Sequence, residues 1–238
     1  MMSDISNRKL IGFGLASALV GGTAGAAGAL AVQLRGGQAI HDYIVSHPEV
    51  LPEAMDNLRR QEDSQALAGV RSLVDKPFPG AVLGNPRGSE VLVEFSDYAC
   101  GFCRKSIADV EELIAARPQL KVVMRELPIL TPESTDAARM ALAAAAQGRY
   151  AAFHDAMFAQ GHPSAETIAE AAREAHLDMA RAKQALADPA IQAELDRNLD
   201  FARQLGFSGT PAWVAGGQLL SGAVGLDKLA AAIDGARH

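Results

Sequence analysis

The sequence predicts an α/β fold in which a βαβ unit and a later strand pair are separated by a long helical insertion. Three observations carry this expectation. Val91-Leu92-Val93-Glu94-Phe95 is a short β-rich run, residues 101–117 set Ile107, Val110, Leu113 and Ile114 on one helical face, and Leu120 to Leu127 is again strand-like. Strand, helix, strand is a βαβ unit, which brings a parallel pair and a right-handed crossover. From Thr131 to Leu205 the pattern is almost entirely helical. Strand character then resumes in Ala212-Trp213-Val214, turns at Gly216-Gly217 and continues through Gln218-Leu219-Leu220, and a closing helix runs from about Leu226 to Ile233.

The N-terminus carries a different signal. Leu10 to Leu34 is 25 residues without a charge, between Arg8-Lys9 and Arg35, and a bilayer takes about 20 residues to cross. Its many glycines argue against a buried soluble helix, because each weakens a helix by about 1 kcal/mol relative to Ala. Residues 1–35 therefore read as an export segment. One form is an inner-membrane anchor, with Gly21-x-x-x-Gly25 as a close-contact motif. The other is a signal peptide cleaved at small-x-small sites such as Ala24-Gly25-Ala26 or Ala29-Leu30-Ala31. Basic flanks stay inside, so both forms place residues from 36 onward outside the cytoplasm, in the periplasm or beyond.

Residues 36–77 read as a helical stalk. Ile40, Tyr43 and Ile44, then Leu51, Met55 and Leu58, then Ala66, Leu67 and Val70 fall at amphipathic spacing. Ser46-His47-Pro48-Glu49 has the form of a capping box, with Ser46 as N-cap, and Pro52 would begin or kink the helix that follows. The apolar face needs a cover, either the chain's own domain or the same segment of another copy in a homo-oligomer through residues 36–75. "DKPFPGAVLGNPRGS" ends the helical periodicity with Pro and Gly, so the globular domain is expected from about Phe78 to residue 238, with the insertion at about 131–205. Thr131-Pro132-Glu133 and Ser164-Ala165-Glu166 mark helix starts inside it, and Gly148, Gly161 and Pro189 punctuate the run into three to five helices.

Composition narrows the chemistry. A hydrophobic fraction of 49% with 21% charged residues supports a substantial core and excludes disorder of the whole. The formal charge of −6, with no Lys/Arg run longer than two, leaves no nucleic-acid footprint. Two cysteines are too few for a disulfide scaffold, so Cys100 and Cys103, separated only by Gly101 and Phe102, are there for chemistry.

This Cys-x-x-Cys follows a strand and opens a helix. Cys100 falls at the helix N-terminus, where unpaired N–H groups and the macrodipole favour an anion, so its thiol is expected to ionise more readily than a free one. Cys103, one turn on, is expected to be more covered. Those positions make Cys100 an exposed nucleophile and Cys103 the thiol that resolves the mixed disulfide. Gly101 and Phe102 put no charge beside the nucleophile, which points to a couple of intermediate oxidising power. A structural zinc site would need four Cys/His ligands, and no histidine is nearer in sequence than His154.

With Val91 to Cys103, the helical insertion, and Gly209-Thr210-Pro211-Ala212 ahead of a strand, the chain resembles the DsbA-like family of exported thiol:disulfide oxidoreductases over residues 78–236. The resemblance implies a thioredoxin fold without cofactor or metal, protein substrates carrying cysteines or disulfides, and a membrane-embedded redox partner. It further implies a cis bond at Thr210-Pro211, beside the thiols, whose backbone offers strand-like hydrogen bonds to substrate. Phe102 joins them on the substrate side. Glu94, six residues before Cys100, corresponds to the family's buried acid; its pKa is then expected to be raised, and its role to relay a proton to or from Cys103. Gly101-Phe102 is close to the Gly-Tyr of DsbC-type isomerases. The stalk resembles that of suppressor-of-copper-sensitivity C proteins, some of which trimerise through it. The expectation is an oxidoreductase that forms or isomerises disulfides, leaning to isomerase or reductase. Two alternatives stand beside it: a membrane-tethered module holding Cu(I) on the two thiols, and a glutathione-linked small-molecule enzyme on the same fold.

Overall fold

The computed structural model describes residues 37–235. The apolar segment 10–34, expected to anchor or export the chain, lies outside them; among the described residues no helix is long and apolar enough to cross a membrane. The chain divides into two compact units, Met1–Leu58 and Arg59–His238.

In the first unit, α1 covers residues 37–46 and α2 (Val50–Leu67) begins. Ser46 does not cap α2 as expected. Its hydroxyl donates back to the carbonyls of Asp42 (2.6 Å) and Tyr43 (3.1 Å) and so closes α1. Short polar side chains take local backbone partners in this way. Pro52 sits in the first turn of α2, where a missing N–H is harmless. Ile40, Tyr43, Val45, Leu51, Met55 and Leu58 are all more than half exposed.

The second unit contains α3 (Arg71–Val74), β1 (Val82–Gly84), β2 (Glu90–Ser96), α4 (Gly101–Ala116), β3 (Leu120–Glu126) and the insertion helices. These are α5 (Pro132–Ala145), α6 (Tyr150–Ala159), α7 (Ala165–Glu174), α8 (Met179–Leu186) and α9 (Pro189–Gln204). The chain then returns through β4 (Ala212–Ala215), β5 (Gln218–Ser221) and α10 (Leu226–Asp234). The strands form one sheet in the order β1-β3-β2-β4-β5, with β2 and β3 parallel and the other neighbours antiparallel. This is the expected βαβ unit, extended on one side by β4 and β5.

The insertion helices start where their sequences say they should. Thr131 accepts the Ser134 N–H ahead of α5, and Ser164 and Thr167 form a reciprocal capping box on α7. Asp178 and Asp188 cap α8 and α9, with Pro189 at the first position of α9. Strand β1 was not expected, because it lies in the Pro/Gly stretch read as a boundary. Gly80 turns the chain into it with φ of 88°, a conformation that favours glycine.

Alternation along the strands sorts the core into two layers. Leu92, Val122, Met124 and Trp213 join the cluster under α4, α10 and insertion helices α5 to α8, whereas Val93, Phe95, Val123 and Val214 join Phe201 at the end of α9, Leu205 and Phe207 on the other side. Leu67 and Val74 belong to this second layer, so the compact unit reaches upstream of the boundary expected near Phe78. Arg125 holds that upstream segment. Only 1% exposed, it donates to Glu194 (2.6 Å) and Asn198 (3.1 Å) of α9, and to the carbonyls of Leu73 (2.6 Å), Val74 (2.8 Å) and Lys76 (2.5 Å). Asp63 adds a second tie by accepting the Leu219 N–H of β5 at 2.9 Å.

Arg125→Ala would leave Glu194 buried with its inner partner gone, and the expected loss is about 3–5 kcal/mol in chemical unfolding. An unfolding midpoint equal to that of the parent chain would contradict the role given to Arg125.

Candidate functional site

Strand β2 runs out at Ser96, and residues 97–100 turn into α4 with Cys100 as its N-cap (φ −82°, ψ 114°). That backbone aims the Cys100 sulfur back at the open helix end, where it accepts the Cys103 N–H at 3.3 Å. On its other side the Cys100 thiol donates to the Thr210 carbonyl at 3.2 Å, a contact between residues 110 apart in the chain. Thr210-Pro211 is a cis peptide bond, and it stands against the thiol pair as the family resemblance implies. The Pro211 carbonyl accepts the Gly222 N–H at 2.8 Å, and Thr210 Oγ1 is buried without a hydrogen-bond partner among the described residues.

Both cysteines are free thiols. Cys103 is 1% exposed, as expected, but Cys100 is only 4% exposed, which corrects its expected exposure. The Thr210 carbonyl resting on the sulfur is the reason, and it was invisible in a local reading of the motif. Phe102, by contrast, projects outward at 65% exposed.

Glu94 takes its place behind the pair. It sits in mid-β2, opposite Met124 of β3 and Trp213 of β4, and is 4% exposed. Burial raises its pKa to about 8, and the nearby Glu126 carboxyl adds to the rise. Burial also pushes the Cys103 thiol well up, with the Glu94 charge the next largest contribution. Glu94 and Cys103 are therefore electrostatic neighbours whose proton affinities depend on each other.

Three groups of the site were missed by the sequence reading. Asp97, 1% exposed, accepts the N–H groups of Ala99 (2.8 Å), Ile129 (2.8 Å) and Leu130 (2.9 Å) and the Ser134 hydroxyl (2.6 Å). It thereby ties the approach to Cys100 to the loop after β3. Glu126, 2% exposed, accepts the hydroxyls of Tyr150 (2.6 Å) and Tyr98 (3.2 Å), and burial raises its pKa to about 8 as well. His154 of α6 packs its ring against Tyr98, Tyr150 and Phe158. The available signal was charge inside apolar runs, as in Val123-Met124-Arg125-Glu126-Leu127. Among the described residues no group of three or more His, Cys, Asp and Glu side chains is arranged to hold a metal.

The family model of the DSBA-like thioredoxin domain matches residues 91–234, from β2 through α10. The chain belongs to the DSBA-like thioredoxin family. A second model, the copper resistance protein ScsC N-terminal domain, matches residues 37–65. Among solved structures, a thioredoxin-like oxidoreductase from Silicibacter pomeroyi DSS-3 is 40% identical, with a TM-score of 0.66 over 71% of this chain and 98% of that one. The thiol-disulfide exchange protein alpha-DsbA2 of Wolbachia pipientis is 28% identical, with a TM-score of 0.68 over 74% and 97%. Proteus mirabilis ScsC in a transitional conformation is 27% identical, with a TM-score of 0.65 over 86% and 96%. A Na(+)/H(+) antiporter, NhaA 1, of Salinispora arenicola (strain CNS-205) is 30% identical over 182 residues, 73% of this chain; the chain spans only 28% of that protein's length.

Glu94 makes the family fold sensitive to pH. A carboxyl whose pKa rises from 4.5 unfolded to about 8 folded favours the native state below 4.5, and that advantage is lost as pH climbs towards 8. The parent protein should therefore lose stability across that window, and Glu94→Gln should lose less of it. Denaturant midpoints measured from pH 4.5 to 8.5 test this, and parallel profiles for the two proteins would contradict it.

Proposed function

We propose that this protein is an exported thiol:disulfide oxidoreductase that reshuffles or reduces disulfides in protein substrates through Cys100 and Cys103. The observation that carries the reading is the Cys100 sulfur at the N-terminus of α4, with the Cys103 N–H at 3.3 Å on one side and the Thr210 carbonyl at 3.2 Å on the other. Membership of the DSBA-like family and the likeness to a thioredoxin-like oxidoreductase support it.

The chemistry follows from these positions. The Cys100 sulfur attacks one sulfur of a substrate disulfide, giving a mixed disulfide and a substrate thiolate. The N–H at the helix start faces the reacting sulfur, and its charge is partly met there. Either the released thiol attacks elsewhere and frees Cys100, which is isomerisation, or Cys103 attacks the Cys100 sulfur and completes reduction of the substrate. In the second branch Glu94 takes the Cys103 proton, a role suited to a carboxyl with pKa about 8 beside a buried thiol. Substrate chain enters beside the Thr210-Pro211 bond, with the Thr210 N–H as strand-like donor and exposed Phe102 as apolar support.

The stalk assembles copies of the chain. The match of residues 37–65 to the ScsC N-terminal domain and the exposed Ile40, Tyr43, Leu51, Met55 and Leu58 support a homo-oligomer through the part of residues 36–75 that lies before the buried Leu67. Several thiol pairs held around one cleft suit an isomerase. The uncharged segment 10–34 supports export to the periplasm, with a membrane-embedded protein as the redox partner.

Cys100→Ser should abolish turnover of a scrambled protein substrate, and Cys103→Ser should instead accumulate a mixed disulfide visible by mass spectrometry under non-reducing conditions. Wild-type turnover by Cys100→Ser would end the proposal. For the stalk, replacing Leu51 and Met55 with Glu in the full chain should lower the mass found by light scattering to that of a monomer. An unchanged oligomer, or a parent chain already monomeric, would refute assembly through this face.

A further inference from the structure

A cavity of about 160 Å³ is walled by β1, β2, α4 and α6, and its lining includes Glu94, Ile107, Val110, Glu111, His154 and Asp155. We propose that this cavity is the proton exit of the redox pair, and that His154 passes protons between the Glu94 carboxyl and solvent through Asp155. The proposal rests on the reading that Glu94 takes the Cys103 proton.

A proton delivered to Glu94 has to leave before the next turnover. Glu94 is 4% exposed, and its neighbours across the strands, Met124 and Trp213, offer no polar route. The cavity, mostly apolar, brings three polar groups besides Glu94 to its lining, Glu111, His154 and Asp155, and has room between them for a few water molecules, each of which occupies about 30 Å³ in the liquid. At its edge the His154 side chain is 4% exposed while that of Asp155 is 62% exposed, and Nδ1 of the ring stands 3.1 Å from the Asp155 carboxylate. An imidazole accepts a proton at one ring nitrogen while giving one up from the other, so a buried ring against an exposed carboxylate spans the barrier. Packing against Phe158, with ring centres 5.0 Å apart, holds the ring in place. The groups facing Glu94 are Glu126 of β3, Cys100 and Cys103 at the head of α4, and Glu111, His154 and Asp155 around the cavity.

The Cys103 thiol gives its proton to ionised Glu94, and its sulfur attacks Cys100 in the mixed disulfide. The Cys100–Cys103 bond forms, the bond to substrate breaks, and two electrons pass from the pair to the substrate, whose thiolate takes a proton from solvent. Glu94 then returns its proton through the cavity to His154 and out by Asp155.

The chain's one tryptophan, Trp213, lies opposite Glu94 and reports the step by stopped-flow fluorescence with a small aromatic disulfide. In His154→Gln, mixed-disulfide formation should keep the parent rate, whereas resolution should slow about a hundredfold, the low end of what a positioned proton carrier provides. Added imidazole should restore the resolution rate, and His154→Phe should behave in the same way. Parent-like resolution in both variants, or a loss that imidazole does not relieve, overturns the proton exit. Parent-like resolution in Glu94→Gln instead overturns the role of Glu94 itself, so the two failures are told apart.

Discussion

The Asp97 carboxylate, buried where β2 gives way to the thiol turn, is the constraint on which the site's geometry depends. Its two oxygens accept three backbone N–H groups and the Ser134 hydroxyl, and its own carbonyl accepts the Cys100 N–H at 3.0 Å. Four donors on one buried group offset the cost of taking it out of water. Those donors come from the turn before α4, the loop after β3 and the start of α5. One carboxylate thus sets the N-terminus of α4 against the rest of the domain, and with it the direction in which the Cys100 sulfur points.

The two faces of the sheet handle buried charge in opposite ways. On one face Arg125 keeps its charge by pairing with Glu194 and donating to a fan of carbonyls, and so anchors the segment that leads into the domain. On the other, Glu94 and Glu126 have no cation among their strand partners, and burial pushes both towards the protonated form. Strand alternation produces the contrast: neighbours 125 and 126 point to opposite layers, and the face behind the thiols holds the two carboxyls that burial drives up to about 8. The tyrosine hydroxyls on Glu126 keep that carboxyl anchored, while Glu94 borders a cavity.

Much of this was legible in the residues. The βαβ unit, the five-helix insertion with its caps at Thr131 and Ser164, and the returning strand pair all follow from local periodicity and capping chemistry. Cys100, Cys103 and Thr210-Pro211 were named from motif and resemblance, and the fold brings them together. Less legible was β1, three residues in a Pro/Gly stretch, because such an edge strand exists only through its partner β3. The upstream limit of the domain escaped for a like reason. Leu67 and Val74 look like any stalk residues until Arg125 and the Phe201 layer are placed beside them.

By itself the sequence determined which thiol opens the helix and which follows one turn later, since strand, Cys-x-x-Cys and helix are adjacent in the chain. It also determined that an acid lies in the strand ahead of them. Only the tertiary structure decided that the Thr210 carbonyl covers the Cys100 sulfur, that Glu126 stands beside Glu94, and that His154 lines the cavity behind them. The physical reason is range. Helix and strand patterns are set by neighbours a few residues apart, whereas proton affinity and access depend on groups that parallel strand pairing and the helical insertion bring in from far along the chain.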